Sequence, residues 1–89
     1  MLKKANIGYE TITESTDGHE LNGKIDARFY NLSTKAVRIG IDSIPPKQSF
    51  YAGVADHEVY GRVPVQFADD ETAPRVTLTF GTTLTDKNC

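Results

Sequence analysis

The sequence predicts an all-β fold, a small antiparallel β-sandwich or barrel of six to seven strands that is immunoglobulin-like or jelly-roll-like. Polar and apolar residues alternate through two stretches, residues 57–67 and 76–80, and a period of two is typical of strands with one buried face. Turn-forming pairs and prolines separate the apolar segments at intervals of about ten to fifteen residues, a spacing typical of small sandwiches and barrels. No stretch has the pattern of a sizeable helix.

In the first part of the chain, we expect a strand at about residues 3–14 and a loop at about 14–23. Ile12 falls out of the alternation of this strand, which predicts a β-bulge near Gly8 or Thr11. The loop contains one Asp-Gly and one Asn-Gly pair, both typical of tight turns. It therefore forms either one long loop or a short ribbon around Leu21.

The remaining alternation predicts five further strands. They lie at about residues 24–31, 36–42, 48–53, 57–68 and 75–84. The first two of these form a hairpin, and the pattern points Ile25, Phe29 and Ile41 inward. Because proline has no backbone N–H to donate to a ladder, Pro64 predicts an edge position or a bulge for its strand.

Length and composition predict one domain spanning residues 1–89. Hydrophobic residues make up 38% and charged residues 25% of the chain, which is typical of a globular protein. The net charge of −2 provides no basic face for nucleic acid. The one cysteine, Cys89, has no partner for an internal disulfide. Neither a signal-peptide pattern nor an apolar stretch of the roughly 20 residues that span a membrane is present, so we expect no membrane partner.

Three groups of polar residues are candidates for chemistry, and we interpret each as structural. Asp69, Asp70 and Glu71 form the densest acidic cluster, but they lack the alternate spacing and the glycine of a calcium loop, which favours a solvated hairpin tip. His57 and His19 would form a metal site only if two distant loops met. No serine lies in the glycine-framed turn of a hydrolase nucleophile. We therefore expect no enzyme activity, no metal and no cofactor.

Outward-facing aromatic residues form the candidate interface. If Phe29 points inward, Tyr30 points outward, and the same alternation turns Tyr60 outward. One of Phe50 and Tyr51 must also face away from the core. The candidates are therefore Tyr30, Phe50, Tyr51 and Tyr60. We predict that at least one of them contacts a partner, because aromatic side chains supply a large contact area and tyrosine adds a polar tip. The alternative is that they are ordinary surface aromatics or are covered by loops.

Residues 29–39 (FYNLSTKAVRI) and 44–50 (IPPKQSF) resemble a pattern of small β-sandwich modules in bacteriophage virions. The pattern is a strand, an Asn-x-Ser/Thr turn, a second strand and an Ile-Pro-Pro/Gly-x-x-Ser step into a further strand. Immunoglobulin-like accessory domains share it, since it consists mostly of hairpin chemistry. Such modules act through surfaces, so the resemblance assigns no functional residue.

The resemblance implies a non-enzymatic virion structural protein, made in the host cytoplasm, that docks on a phage capsid or tail as a minor capsid or decoration component. Its partners would be other protein subunits in an oligomer or larger assembly, contacted by outer-face aromatics and by chain ends that neighbouring subunits hold in order. The alternative is a soluble binding module or a phage-encoded inhibitor of a host protein that uses residues 69–71. A carbohydrate-binding module ranks last, because the sequence has no tryptophan and its tyrosines are spread over several strands.

Overall fold

The computed structural model describes residues 5–54 and 57–83, which form nine β-strands and no helix. The strands are β1 (Ala5–Ile12), β2 (Thr16–Glu20), β3 (Lys24–Asn31), β4 (Val37–Ile39), β5 (Asp42–Ile44), β6 (Ser49–Tyr51), β7 (Glu58–Val59), β8 (Arg62–Phe67) and β9 (Val76–Thr83). The all-β prediction is confirmed. A search of the described ranges for a helix long and apolar enough to cross a membrane finds none. The predicted contacts of the chain ends fall on residues 1–4 and 84–89, outside those ranges.

The strands form two antiparallel sheets. Along the sequence, the paired strands are nested, so that each pair encloses the next pair between its two members. One sheet has the order β1-β9-β3-β6, with β7 also paired to β3, and the other has the order β2-β8-β4-β5. The innermost pair is β4 with β5, followed outward by β3 with β6, β2 with β8 and β1 with β9. The chain therefore runs as one long hairpin that is folded over into two layers.

Side chains from the inner faces of both sheets meet in one apolar core. Phe29 of β3 and Leu78 of β9 enter it from one sheet, and Val37, Ile39 and Val65 enter it from the other; all five are fully buried. Every buried side-chain nitrogen and oxygen of the described residues has a hydrogen-bond partner. Two antiparallel sheets that share one core are compatible with the predicted β-sandwich.

The strand count exceeds the predicted six to seven partly because a glycine divides the predicted strand 36–42. β4 ends at Ile39, and Gly40, with a φ of 65°, begins a two-residue turn into β5. Glycine at the first turn position is typical of the type II′ turns that connect hairpins. Ile41, predicted to point inward, is the second turn residue and is 95% exposed.

A second glycine divides the predicted strand 57–68. Gly61 has a φ of 133°, a conformation that favours glycine. On one side of it β7 pairs with β3, and on the other side β8 belongs to the second sheet. The alternation of apolar residues continues through this change of sheet, so the pattern could not show it.

The predicted loop 14–23 contains a strand, β2, which explains the position of Pro64. Thr16 pairs with Val65 and His19 pairs with Val63, so β2 has one extra residue opposite Pro64. A bulge of this kind removes the need for a backbone N–H on the opposite strand. Because β8 lies between β2 and β4, the predicted edge position is wrong and the alternative prediction, a bulge, is confirmed.

A bulge lies in β3 and not in β1 as predicted. β1 pairs with β9 through eight consecutive residues without a register shift at Gly8 or Thr11. In β3 the register against β9 shifts next to Asp26, which has a φ of 54°. The extra residue turns Ile25 away from its predicted inward position, so that it pairs with Gly81 on the outer face.

Candidate binding surface

Side chains from four strands meet on the outer face of the five-stranded sheet. The register places two adjacent rows across β1, β9, β3 and β6, which are Tyr9, Thr79, Arg28 and Tyr51 in the first and Thr11, Thr77, Tyr30 and Ser49 in the second. Partners in an antiparallel ladder point to the same face. Three of the four tyrosines of the chain therefore share one face. We call these rows, together with the adjoining Ile7, Gly81 and Ile25, the tyrosine face.

The tyrosine face is most open at its β1 end. Ile7 is 75% and Tyr9 is 70% exposed, whereas Tyr30 and Tyr51 keep 38% and 40% of their surface in solvent. The small threonine side chains of β9 lie between them and are half-buried. Because these threonines are small, the middle of the face is recessed below the larger side chains around it and leaves space for a partner. Aromatic residues are also enriched at protein interfaces.

Arg28 is the only charged residue in the two rows, and it is held within the face. Its guanidinium lies 5.1 Å from the centre of the Tyr51 ring, a contact that contributes about 0.5–1 kcal/mol at an exposed site. The Tyr51 hydroxyl donates a hydrogen bond to Asp26 Oδ1 at 2.7 Å. These contacts hold the ring of Tyr51 in place, and a side chain that is already held loses less entropy when it enters an interface.

Strand geometry gives the size of the tyrosine face. Four strands about 4.8 Å apart and three rows about 7 Å apart cover roughly 400 Å². A standard protein interface buries about 800 Å² on each partner. The tyrosine face is therefore large enough for the centre of an interface, and a stable complex needs further contacts around it.

The predicted aromatic site residues lie in three different environments. Tyr30 lies on the tyrosine face, as predicted from its outward direction, and of Phe50 and Tyr51 it is Tyr51 that lies there. The prediction for Phe50 is wrong, because its ring points inward and packs against the core. Tyr60 is outside the sheets, in the turn between β7 and β8, where its hydroxyl donates to Glu58 at 3.0 Å. This hydrogen bond and the negative charge of Glu58 raise the pKa of Tyr60 above its ordinary value.

The sequence reasoning missed Tyr9 and Ile7, the two most exposed large side chains of the tyrosine face. The signal was present in the alternation of the first strand, where Ile7, Tyr9 and Thr11 share one face and Ile12 lies on the other. In the structure Ile12 is buried, which turns the other three outward. The face with Ile7, Tyr9 and Thr11 holds more apolar residues than the opposite face. A prediction based on that number alone would point these side chains towards the core, which is wrong.

Glu71 of the predicted acidic tip is a structural residue. Its carboxylate accepts hydrogen bonds from the Thr34 hydroxyl, the Lys35 backbone N–H at 2.9 Å and the Ala73 backbone N–H at 3.0 Å. Burial raises the pKa of Glu71, but these hydrogen bonds outweigh burial and lower the pKa to about 2. The residue thus ties the β8–β9 loop to the β3–β4 loop, a contact that the sequence did not predict for the acidic tip.

The other two acidic residues of the loop are exposed. Asp70 forms an ion pair with Lys35 at 3.2 Å, and Asp69 lies on the surface beside it. Exposed pairs of this kind contribute about 0–1 kcal/mol. Within residues 5–54 and 57–83, no three His, Cys, Asp or Glu side chains are grouped so that they could hold a metal ion.

Asn31, the asparagine of the resemblance pattern, organises the turns next to β3. It is fully buried, and its amide donates to the carbonyls of Lys35 at 3.0 Å and Ile44 at 2.8 Å. Its side-chain oxygen accepts the backbone N–H of Ser33 at 2.9 Å. The Asn-x-Ser pattern therefore has a structural cause, because one side chain satisfies two backbone groups of the β3–β4 loop and one at the end of β5.

An open pocket with charged walls lies between the edge strands β1 and β2. Glu10 forms a hydrogen bond with His19 Nε2 at 2.7 Å and an ion pair with Lys24 at 3.6 Å. The Lys24 ammonium also lies 4.7 Å from the centre of the Phe80 ring. These groups satisfy one another, so we interpret them as a polar closure of the sandwich edge.

Comparison with known proteins identifies no relative. The chain matches no protein-family model, no curated protein and no solved structure.

Proposed function

We infer that the two sheets form a β-sandwich of the jelly-roll type. The nested pairs support this, and so does the path of the chain. Apart from the two-residue β7, every step between consecutive described strands crosses from one sheet to the other except the β4–β5 hairpin. Immunoglobulin-like sandwiches keep several consecutive strands in one sheet, whereas a long hairpin folded into two four-stranded layers is the arrangement of a jelly roll.

We propose that the chain is a non-enzymatic structural subunit of a bacteriophage virion, a minor capsid or decoration component that docks on a capsid or tail protein through the tyrosine face. The observation that carries this proposal is the alignment of Tyr9, Tyr30 and Tyr51 on one face of a sheet. The virion assignment is supported by the resemblance of residues 29–50 and by the occurrence of jelly rolls in viral capsids. Both are analogies, and the docking face is the physical part of the argument.

Docking through this face would concentrate the binding energy in few residues. Tyrosine and arginine dominate interface hot spots, where truncation to alanine costs about 2 kcal/mol or more, which is about thirtyfold in affinity. Arg28 can pair with an acidic group of the partner without leaving Tyr51.

The test uses particles from which this chain has been removed. Purified protein is added back, and its occupancy on the particles is measured by mass spectrometry as a function of concentration. We expect Tyr30→Ala to weaken attachment about tenfold or more, while the matched variant Tyr60→Ala, which lies off the face, attaches as wild type. Absence of the chain from native particles, or equal effects of the two variants, would refute the proposal.

The alternative is a binding module or an inhibitor of a host protein that acts through the acidic loop. Because Glu71 is engaged in holding the two loops together, Asp69 and Asp70 are the exposed acidic residues of the loop that could take this role. Asp70 also pairs with Lys35. The double variant Asp69→Ala/Asp70→Ala therefore separates the two functions. It abolishes target binding if the loop is the site, and it leaves particle attachment intact if the tyrosine face is the site.

One observation gives additional support to a carbohydrate-binding function. It ranked last because the tyrosines are spread over several strands, yet the fold gathers three of them on one face with threonine and serine hydroxyls between them. Jelly rolls also include lectin domains. Titration with neutral oligosaccharides, observed through the ring signals of Tyr30 and Tyr51 by NMR, tests this function. Shifts that saturate would support it, and their absence would leave protein docking as the function.

A further inference from the structure

The free edge of β1 is the longest open strand edge in the described part of the chain. β1 pairs with β9 on one side through eight residues, and no described strand pairs with its other side. The other edge strands have five residues or fewer, and β2 also contains a bulge. β1 contains no proline, lysine or bulge, which are devices that protect an edge from pairing. Its one charged residue, Glu10, points to the inner face, where His19 and Lys24 pair with it.

We propose that β1 pairs antiparallel with β1 of a second copy of this chain and joins the two five-stranded sheets into one continuous sheet. A two-fold axis relates the copies, as is usual for homodimers. The backbone groups of the free edge would then find partners by strand addition. This pairing uses the sheet edge and does not depend on docking through Tyr30 and Tyr51, so it goes beyond the proposed function.

The side chains of β1 favour one register, in which the two-fold axis passes through Gly8. Ile7 of each copy then lies opposite Tyr9 of the other on the outer face, and cross-strand pairs of aromatic and β-branched residues stabilise sheets. On the inner face Asn6 lies opposite Glu10, and its amide can donate to that carboxylate. The ladder includes residues 5–11 of both copies.

The other registers that keep side chains on matching faces are less favourable. An axis through Tyr9 places Glu10 opposite Gly8 and Ile7 opposite Thr11, which removes both matched pairs. An axis through Glu10 brings two carboxylates together, and like charges directly opposite are destabilising. An axis through Ile7 shortens the ladder to residues 5–9. The sequence of β1 therefore matches itself best about Gly8.

The size of the contact predicts a weak dimer. Seven residues at about 3.4 Å each and a sheet thickness of about 10 Å give roughly 240 Å² on each copy, well below the about 800 Å² of a standard interface. The pairing is therefore expected between micromolar and millimolar concentrations. High local concentration, as on a particle with many copies, would strengthen it.

The register makes a charge-swap experiment possible at two exposed positions. The mass of the protein is measured by sedimentation equilibrium from micromolar to millimolar concentration. We expect the wild type to dimerise, and Ile7→Lys/Tyr9→Lys to weaken the dimer roughly tenfold or more, because lysines then lie opposite lysines. In Ile7→Glu/Tyr9→Lys each glutamate lies opposite a lysine, so dimerisation returns and weakens with added salt.

The matched control is Ile41→Lys/Tyr60→Lys, which changes an isoleucine and a tyrosine outside β1 that are at least as exposed as Ile7 and Tyr9. It should dimerise as the wild type does, and hydrogen exchange of the β1 amides should slow with concentration only in the dimerising proteins. A wild type that stays monomeric at millimolar concentration would overturn the proposal. So would a control as weak as the double-lysine variant, or a charge-swap variant that fails to recover.

Discussion

Asn31 provides the strongest test of how this fold is held together. Its side chain is fully buried and makes hydrogen bonds to three backbone groups, which belong to Ser33, Lys35 and Ile44. Asn31→Ala removes all three bonds and leaves the backbone path of β3 unchanged. The variant therefore measures what the polar centre of the two turns contributes to stability.

The expected loss of stability depends on which of the three backbone groups are buried and cannot bond to water instead. The bonds to Ser33 and Ile44 are buried, whereas Lys35 is an exposed residue whose carbonyl can accept from solvent. An unsatisfied buried backbone group costs about 1–3 kcal/mol, so for these two groups we expect a loss of about 2–6 kcal/mol. A domain of 89 residues has a total stability of about 4–13 kcal/mol, and this loss is a large fraction of it.

Urea unfolding followed by circular dichroism measures the effect. With an m-value of about 1–1.5 kcal/mol/M, the midpoint should fall by at least about 1.5 M. Asn6→Ala is the control, since Asn6 is an exposed asparagine of β1 and its change should stay within about 0.5 kcal/mol. A loss below about 1 kcal/mol for Asn31→Ala, at an unchanged m-value, would show that water replaces the amide and that this reasoning is wrong.

Two further variants test individual contacts. The depressed pKa of Glu71 means that its carboxylate stabilises the fold above its ordinary pKa near 4.5 and that this contribution is lost as the pH falls towards about 2. Glu71→Gln should therefore be less stable than wild type at pH 7, and thermal melts should show the gap closing over that range; a gap independent of pH would contradict the assignment. In Gly8→Ala the new methyl carbon would lie 2.5 Å from the Phe80 ring, so urea unfolding should show a loss of about 1–3 kcal/mol, and an unchanged stability would show that the ring can move aside.

The class of the fold was predictable because strand periodicity is local. Residues such as Phe29, Val65 and Leu78 are buried where the alternation points them inward. The positions at which the strands end were not predictable in the same way. At Gly40 and Gly61 the chain turns or changes sheet while the alternation continues, and only the positive φ that glycine permits distinguishes those positions.

The candidate site could be predicted only in part, because it depends on strand order. Alternation is enough to turn Tyr30 outward and to require that either Phe50 or Tyr51 is outward. That Tyr9 and Tyr51 lie in one row requires β9 and β3 to stand between their strands, and this pairing joins residues far apart in the sequence. The bulge at Asp26, which turns Ile25 outward, likewise depends on the register with β9 and not on a local pattern.

The nested pairing links the order of folding to the two proposed surfaces. The innermost pair joins Ile39 to Asp42 across a two-residue turn, whereas the outermost pairing joins Ile12 to Val76 across most of the chain. Loop-closure entropy grows with separation, so β1 and β9 are expected to pair after the inner hairpin has formed. This late pairing creates both the free edge of β1 and the open end of the tyrosine face. A second copy that pairs with β1 binds only the completed fold, and by mass action it therefore stabilises the element that forms last.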